Sequence, residues 1–588
     1  MKKNICSVLL ILFCILGLSS CQDEAVQETP TVETPGEKPG RPHVHSFGDW
    51  VVDKEASLFN VGQKTQSCSG CDQTNVKMYY YLDEVVFQDK VYQYNGKEKK
   101  LLIEGLLPKG IRVEYNNNRL TNVGSIVSTA NFINEDNEIV ESKSATLTII
   151  DYQGFPKVSI NTNNQPIINK TDYVTSTITV SNCDASYQLS DVIAGVRLRG
   201  NGSLEAEKKP YRIKFEQKQS MLGLNDGLKA KSWVLLADYY DYSMLRNAAA
   251  FYLGNSLLNF NDYYSSDFQH VNLYINGIYN GVYLLAEQQQ VNKGRIDIAE
   301  PEVNSEDINI GYLLELDTYA VNEGDFINLN LSGYQVKDYK GNSVALSNMS
   351  YSIKSDYYSV KQKNHINKYL NNVYKIMHSA ITGDKYYKFD ENYDLIEADF
   401  TNACDTINNV INLDSLFRVY ILQEIMKNVD VGFSSFYMYV DFSSDSKCPR
   451  LTFGAPWDFD WSSGNMNGQP YYASTGHYND SNFNHLNPWL LTISNAEFFE
   501  DYIKDYWELF EKSEVIEGLI YTLDDISSTY SKDFMQNFAK WNTLGIKKHV
   551  YSTDDVLGFK TQGDAKNFLK NWLLNRYSFL KTLWSKGE

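Results

Sequence analysis

The sequence predicts an α+β protein with two lobes, a β-rich N-lobe followed by a helical C-lobe, and a small all-β domain in front of them. Three observations indicate this. The chain has 588 residues, enough for several domains. Runs that alternate apolar and polar residues dominate up to about residue 317, and helical periodicity dominates afterwards. The hydrophobic content of 43% and the charged content of 22% are those of a globular protein.

The N-terminus has the pattern of a bacterial lipoprotein signal. In residues 1–20 two lysines precede an apolar run that is too short to span a membrane. The run ends in a lipobox-like LSSC, so Cys21 is expected to become the lipidated first residue; the alternative is a plain secretory signal cleaved near Ser20. Residues 21–42 are rich in Pro, Glu, Thr and Gly, which predicts a disordered tether.

The net negative charge of the chain argues against nucleic acid and anionic lipid as partners. Cleavage would remove two lysines and no acids, changing the net charge from −19 to −21. Such a chain is repelled by nucleic acid and by anionic lipid, so we expect no nucleic-acid partner and membrane attachment through the lipid alone. The acidic QDE that follows the lipidated cysteine resembles a surface-export signal of diderm bacteria. We therefore predict a monomeric outer-membrane lipoprotein that is exposed at the cell surface.

Residues 43–80 form a small module that contains histidines and cysteines. His43 and His45 lie upstream of Cys68-x-x-Cys71, which are the residue types of a zinc site. The segment resembles a short module of bacterial surface proteins, H-x-F-x-x-W…C…G-x-K-x-x-x-C-x-x-C, but lacks one of its cysteines. Two interpretations remain open: a zinc site with three or four ligands, or a small β module that has no metal or closes a Cys68–Cys71 bond.

Residues 83–150 contain short alternating runs separated by turns that carry Asn-Gly and Pro-Lys-Gly. Strands at this spacing predict a β-sandwich. The stretch YNGKEKKL…GLLPKGIRVEYNNNRLTNVGS resembles the bacterial Ig-like domains that act as spacers in surface adhesins. We expect a spacer without chemistry of its own.

Residues 155–588 follow without a linker, and their first candidate site is a glycine-rich turn. Arg199 and Asn201 lie in RGNGS, whose backbone N–H groups could hold phosphates. In the next strand, PYRIKF, Lys214 is placed where phosphate-transferring enzymes need a point charge. The same lysine is compatible with an ordinary solvated position.

Two further segments border the predicted cleft. WVLLADYYDYSMLRN reads as a strand, an acidic turn and the start of a helix whose apolar residues suit a core. HVNLYINGIYNGVYLLAEQ has two alternating runs around Asn276-Gly277, a strong hairpin signal. Its second strand ends at Glu287, which we expect near the position of a bound adenine.

Three aspartates have the spacing of a phosphoryl-transfer site. Asp430 lies in a loop between a helix and a strand, and Asp458 follows 28 residues later in PWDFDW, with Asp460 two residues beyond. One carboxylate would orient or deprotonate a hydroxyl, and another would hold Mg²⁺ on the phosphates. A bound cation would also explain how two acids persist among so many aromatic residues.

These segments occur in the order of a known family. Across residues 155–588 the chain resembles the spore coat protein H (CotH) kinase family. The resemblance is carried by the segments RGNGS…KKPYRIKF, WVLLADYYDYSMLRN, GYLLELD, NVD and PWDFDWSSGN. The resemblance implies an atypical protein-kinase fold that uses ATP and Mg²⁺ or Mn²⁺ to phosphorylate protein hydroxyls. It implies that Lys214 holds the ATP phosphates, that Asp430 is the catalytic aspartate, and that Asp458, with Asp460, binds the metal.

The chain departs from the family pattern at two places. The family loop usually has Asn-Ser-Thr-Trp where this chain has Asn-Gly-Ser-Leu. Five residues after Asp430, where kinases place a metal-binding asparagine, the chain has Ser435. The alternative function is therefore a catalytically weak or inactive kinase-fold scaffold that acts in adhesion or binds glycans or proteins at the cell surface.

Overall fold

The computed structural model describes residues 44–258, 263–383 and 385–586, which fall into two compact units divided after Tyr81. Cys21, His43, the signal segment and the tether lie outside the described residues. In the part that is described, no helix is both long enough and apolar enough to cross a membrane.

The first unit is a three-stranded antiparallel sheet in the order β1-β2-β3. Its strands are β1 (Val51–Lys54), β2 (Gly62–Ser67) and β3 (Thr74–Tyr79). Among residues 44–81, the buried hydrophobic side chains are those of Leu58 and Cys68, while Trp50 and Met78 are 40% and 51% exposed. The unit therefore has almost no hydrophobic core.

The second unit begins with a four-stranded sheet in the order β4-β7-β6-β5. The strands are β4 (Lys90–Gln93), β5 (Arg112–Asn116), β6 (Gly124–Ile133) and β7 (Ile139–Ile150). The sequence predicted an Ig-like sandwich here, but these strands form a single sheet.

This sheet belongs to the same compact unit as the rest of the chain, which differs from a spacer that stands apart. The buried Glu84 carboxylate accepts two hydrogen bonds from the Arg418 guanidinium, at 2.8 and 3.0 Å. Lys99 forms a salt bridge with Asp525. A buried charge is stable only when it is paired, so these contacts tie the segment to the helical part.

Seven strands then close a barrel in the order β10-β11-β12-β14-β13-β8-β9. They are β8 (Lys157–Asn161), β9 (Val174–Ser181), β10 (Leu189–Leu198), β11 (Tyr211–Gln219), β12 (Ala230–Leu236), β13 (Phe268–Ile275) and β14 (Ile278–Glu287). Alternate apolar residues such as Val196, Ile213 and Leu285 fill the interior. The Asn276-Gly277 hairpin is confirmed, since Ile275 pairs with Ile278 and both turn residues have positive φ.

A five-stranded sheet follows in the order β16-β19-β15-β22-β23. Its strands are β15 (Gly311–Leu316), β16 (Ile327–Leu329), β19 (Met349–Ile353), β22 (Phe436–Asp441) and β23 (Thr452–Phe453). Two separate two-stranded sheets are formed by β17 (Gln335–Lys337) with β18 (Ser343–Ala345), and by β20 (Tyr387–Phe389) with β21 (Leu395–Glu397).

The remaining chain is mostly helical, as the periodicity predicted, so the mixed α+β class with a β-rich part and a helical C-terminal part is confirmed. Ser359 and Gln362 form a capping box at the start of α4. The helices are α1 (Leu224–Gly227), α2 (Arg246–Leu258), α3 (Ala320–Glu323), α4 (Val360–Thr382), α5 (Ala403–Asn408), α6 (Leu413–Met426), α7 (Pro488–Ile493), α8 (Phe499–Lys512), α9 (Val515–Thr529), α10 (Ser531–Trp541) and α11 (Gln562–Trp584).

Candidate functional site

The barrel and the five-stranded sheet meet through one hydrophobic cluster. The outward side chains of β12 and β14, including Val234 and Leu284, pack against Tyr437, Tyr439 and Trp457. The segment after β23 therefore lies against the outer wall of the barrel. Phe459 is completely buried, which leaves its two neighbouring aspartates at the edge of this contact.

The three predicted aspartates come together at this edge. Asp430 lies in the short 3-10 turn Val429–Gly432 after α6, where its backbone N–H donates to the Asn428 side chain at 3.2 Å. Burial and the charge of Asp458 raise the pKa of the Asp430 carboxyl well above its usual range. Burial, followed by the charges of Asp458, Asp238 and Asp430, does the same to the pKa of Asp460. Three carboxylates are thus close enough to repel one another.

The acid cluster, Asp430, Asp458 and Asp460, offers carboxylate oxygens, the donor type that suits a divalent cation, but among the described residues the three are not spaced closely enough to hold one ion as a set. None of the three forms a salt bridge with any residue that the structure describes. Carboxylate oxygens are the ligands that Mg²⁺ and Mn²⁺ prefer. A bound cation would supply the opposite charge that the protein itself does not provide here.

Asp458, a metal-binding candidate, and Ser435, which contacts it, both have unusual backbone conformations. Asp458 has φ +65° and Ser435 has φ +60°, in the left-handed region that most residues avoid. The Ser435 hydroxyl donates to Asp458 Oδ2 at 3.4 Å, and its backbone N–H donates to Glu315 Oε1 at 3.2 Å. Glu315 is held in turn by Lys354 at 2.7 Å. The position expected to carry asparagine therefore contacts the metal-binding candidate directly.

The sequence analysis did not single out Asp238, which extends the acid cluster on the barrel side. Asn247, in the first turn of α2, donates to Asp238 Oδ1 at 2.8 Å and accepts from the Phe459 backbone N–H at 2.7 Å. Asp238 is buried, and its Oδ2 has no hydrogen-bond partner among the described residues. Burial and the charge of Asp241 raise the pKa of Asp238. The acidic turn after β12 was the signal that could have indicated it.

Three arginines lie on the outer face of the barrel, and one of them contacts the segment that carries Asp458. The Arg199 guanidinium lies over the Trp457 ring, with its Cζ 5.3 Å from the ring centroid. Arg197 and Arg212 are directly paired across β10 and β11. Burial lowers the pKa of Arg212, and the positive charges of Arg197 and Arg199 lower it further. This cationic wall of Arg197, Arg199 and Arg212 suits an anionic ligand such as a polyphosphate.

The other predicted phosphate-binding residues lie near this wall. Lys214 is exposed on the same face of β11, two residues beyond Arg212, with Nζ 5.9 Å from the centroid of the Tyr173 ring. Asn201 is exposed, and its side chain accepts from Lys170 Nζ at 2.7 Å. Lys214 therefore remains available to a ligand on the outer face.

The two lysines that precede β11 stabilise the loop between β10 and β11. Lys208 is buried, and its ammonium donates to the carbonyls of Ala237, at 2.7 Å, and Val282. Lys209 donates to the Leu204 carbonyl at 2.5 Å. Both ammonium groups are engaged by backbone carbonyls and hold the turn against the barrel.

Glu287 does not occupy the expected position beside a ligand. Its side chain is completely buried, and Oε1 accepts from Arg295 at 2.9 Å and from Asn225 at 3.1 Å. Oε2 accepts from the Asp267 backbone N–H at 3.2 Å. An unpaired carboxylate could not stay ionised at this buried position. The Glu287 carboxylate is therefore the structural partner of the Arg295 guanidinium in a buried ion pair.

A cavity of about 440 Å³ lies beside the segment that follows β14. Its lining includes Lys218, Lys231, Gln290, Asn292, Lys293 and Glu300. Lys218 is four residues beyond Lys214 on β11, so the cavity borders the same strand as the cationic wall. A volume of this size is in the range of small-molecule sites.

The small first unit brings together three of its predicted metal ligands. His45, Cys68 and Cys71 each offer a donor atom, and these atoms all lie within 4.8 Å of one another. His45 Nδ1 and Cys71 Sγ are 3.3 Å apart.

Comparison with protein families gives one match. The sequence model described as CotH kinase protein matches residues 196–580, about two thirds of the chain, and this range contains the acid cluster and the cationic wall. No curated protein matches the chain.

Proposed function

Because the chain belongs to the CotH kinase family, we propose that it transfers the γ-phosphoryl group of ATP to serine or threonine hydroxyls of a protein. One observation carries the proposal: Asp430, Asp458 and Asp460 are electrostatically coupled without a salt bridge to any described residue, and Arg199 packs on the neighbouring Trp457 ring. Phosphoryl transfer needs these parts, namely cations for the phosphates, ligands for a metal and a carboxylate for the acceptor.

Each residue has a role in this proposal. Asp458 and Asp460 would hold Mg²⁺ or Mn²⁺, which when bound neutralises charge on the phosphates. Arg199 and Lys214, together with Arg212, would position the phosphates by charge-assisted hydrogen bonds. Asn201 would contribute at most through its backbone, because Lys170 holds its side chain.

Asp430 would accept the proton of the acceptor hydroxyl. A bond forms between the acceptor oxygen and the γ-phosphorus, the bond from that phosphorus to the bridging oxygen breaks, and ADP leaves. Burial and the charge of Asp458 raise the pKa of Asp430, and a cation held by Asp458 would offset the part that comes from that charge, leaving Asp430 ionised to accept the proton. A base of this kind contributes roughly 10²–10⁴-fold to the rate.

A scaffold function is the second candidate, and Ser435 is the observation that favours it. A serine hydroxyl is a weaker metal ligand than an asparagine carbonyl, and here it hydrogen-bonds to Asp458. In this case the fold would bind proteins or glycans at the cell surface without transfer. Incubating the full chain with Mg²⁺ or Mn²⁺ and γ-labelled ATP separates the two. Incorporation of labelled phosphate into the chain itself or into a generic acceptor protein supports the kinase function. Nucleotide binding without incorporation of labelled phosphate supports the scaffold function.

We propose in addition that the protein is a surface-exposed outer-membrane lipoprotein anchored through Cys21, and that it acts as a monomer. The lipobox-like motif and the acidic residues after it support the lipid anchor and the surface location. Fractionating cells that express wild type or Cys21→Ala tests the anchor: the variant should leave the membrane fraction. A variant that stays with the membrane would contradict lipid anchoring.

A further inference from the structure

The turn between β2 and β3 presents two cysteines to a histidine from the preceding segment. The Cys68 backbone N–H donates to the Gln73 carbonyl at 2.9 Å, which closes the turn around Cys68-x-x-Cys71. Ser69 N–H donates to the Ser46 carbonyl at 2.9 Å, and an isolated bridge joins Phe47 to Cys68. Backbone pairing thus brings residue 45 opposite the turn.

The donor atoms of the three residues are spaced for one metal ion. In a tetrahedral zinc site, bonds of about 2.3 Å to sulfur and 2.0 Å to nitrogen separate the two donors by about 3.5 Å. His45 Nδ1 and Cys71 Sγ are 3.3 Å apart, and Cys68 Sγ lies within 4.8 Å of both. Cys71 carries a free, exposed thiol in this structure.

The composition of this unit gives an independent reason for a metal. Among residues 44–81, only Leu58 and Cys68 are buried hydrophobic residues, although the unit contains a three-stranded sheet. Domains of this size cannot bury enough apolar surface to fold alone, and they usually rely on metals or disulfides. A structural metal that links the turn to the preceding segment would supply the missing stability.

We infer that His45, Cys68 and Cys71 bind one Zn²⁺ ion that stabilises the first unit. Two thiol protons are released as the thiolates bind, and the neutral imidazole coordinates through Nδ1. Thiolate and imidazole ligands select zinc over Mg²⁺ or Mn²⁺, so this site is chemically distinct from the acid cluster. The zinc site does not depend on the proposed phosphoryl transfer.

Metal analysis of the full chain tests the site. The protein is reduced, stripped with a chelator and titrated with Zn²⁺ against a chromophoric competitor. We expect about one tightly bound zinc per chain. His45→Ala and Cys71→Ser should lose that ion, whereas Cys183→Ser, which removes a free thiol of the barrel unit, should retain it. Zinc should also protect residues 44–81 from proteolysis.

Substitution with Co²⁺ gives a readout that does not depend on the folding of variants. Wild type should show the thiolate-to-cobalt charge-transfer band and the intense d–d bands of tetrahedral coordination. Absence of zinc binding by the reduced wild type would overturn the inference, as would a Cys68–Cys71 disulfide that forms in its place. The inference would also be overturned if His45→Ala and Cys71→Ser retained as much zinc as wild type.

Discussion

Ser435 donates a hydrogen bond to Asp458, with 3.4 Å between Oγ and Oδ2, and both residues have left-handed backbone conformations. Ser435 lies five residues after Asp430, the spacing at which kinases place a metal-binding asparagine. This contact connects the departure from the family pattern to the residue that is expected to bind the cation.

Replacing Ser435 with asparagine should strengthen metal-dependent nucleotide binding. Asparagine adopts the left-handed region with little strain, and its carbonyl is a better ligand than a hydroxyl. We expect a gain of up to about ten-fold in Mg·ATP affinity, equivalent to about 1.4 kcal/mol, measured by calorimetry. Ser435→Gly, which keeps the backbone conformation but removes the hydroxyl, is the matched control and should not gain affinity. Equal affinities for both variants and wild type would exclude a role for this position.

Asp458→Asn should abolish the metal-dependent nucleotide response and leave the fold intact. The change removes a ligand charge with little change in volume, and asparagine tolerates φ +65°. Thermal unfolding with and without Mg·ATP or Mn·ATP is the measurement, and Asp445→Asn at an exposed turn is the control. A full Mg·ATP shift in Asp458→Asn would mean that the metal binds elsewhere.

The cationic wall should account for most of the phosphate affinity. Arg199→Gln removes the guanidinium beside Trp457, and we expect roughly ten-fold weaker ATP binding, or about 1.4 kcal/mol. Lys214→Ala should weaken binding less, because Lys214 is exposed to solvent. Equilibrium binding of a fluorescent ATP analogue measures both, with the exposed Lys109→Ala as control. Unchanged affinity in both variants would place the phosphates elsewhere, since backbone carbonyls already engage Lys208 and Lys209.

Many of the secondary-structure elements could be predicted from the sequence because they depend on local signals. The Asn276-Gly277 hairpin and the amphipathic helices follow from turn chemistry and periodicity. Closure of the barrel was not predictable, because it depends on β8 pairing in parallel with β13, more than a hundred residues away in the chain. The Glu84–Arg418 pair, which joins residues 334 positions apart, gave no local signal either.

The candidate site was predictable to a similar extent. The sequence predicted roles for Asp430 and Asp458 because phosphoryl transfer requires acids in such loops; the structure places the two acids near each other, and their roles stay predictions. The sequence misplaced Glu287, since an acid at a strand end can face a ligand or pair with a buried arginine equally well, and only the fold shows that Arg295 meets it. Asp238 was missed because its significance depends on Asn247, which joins it to the Phe459 backbone.

Acid should weaken the fold through His270. The ring is buried, Nε2–H donates to the Met244 carbonyl at 2.9 Å, and burial lowers its pKa to about 4. Between pH 6.5 and about 4 the unfolded chain binds a proton that the folded chain does not, so stability falls as the pH falls, by about 3 kcal/mol from this group. Unfolding midpoints across this range should fall less in His270→Gln than in wild type. An unchanged slope in His270→Gln would contradict the prediction.

Phosphoryl transfer by wild type and Asp430→Ala, assayed side by side with γ-labelled ATP and Mg²⁺ or Mn²⁺, tests the central claim most directly. If Asp430 accepts the proton of the acceptor hydroxyl, the variant should lose transfer by roughly 10²–10⁴-fold. Its nucleotide affinity should change little, because Asp458 and the cationic wall hold the metal and the phosphates. Equal incorporation of label by the two proteins would contradict the role of Asp430, and wild type that binds nucleotide but incorporates no label would contradict the kinase function itself.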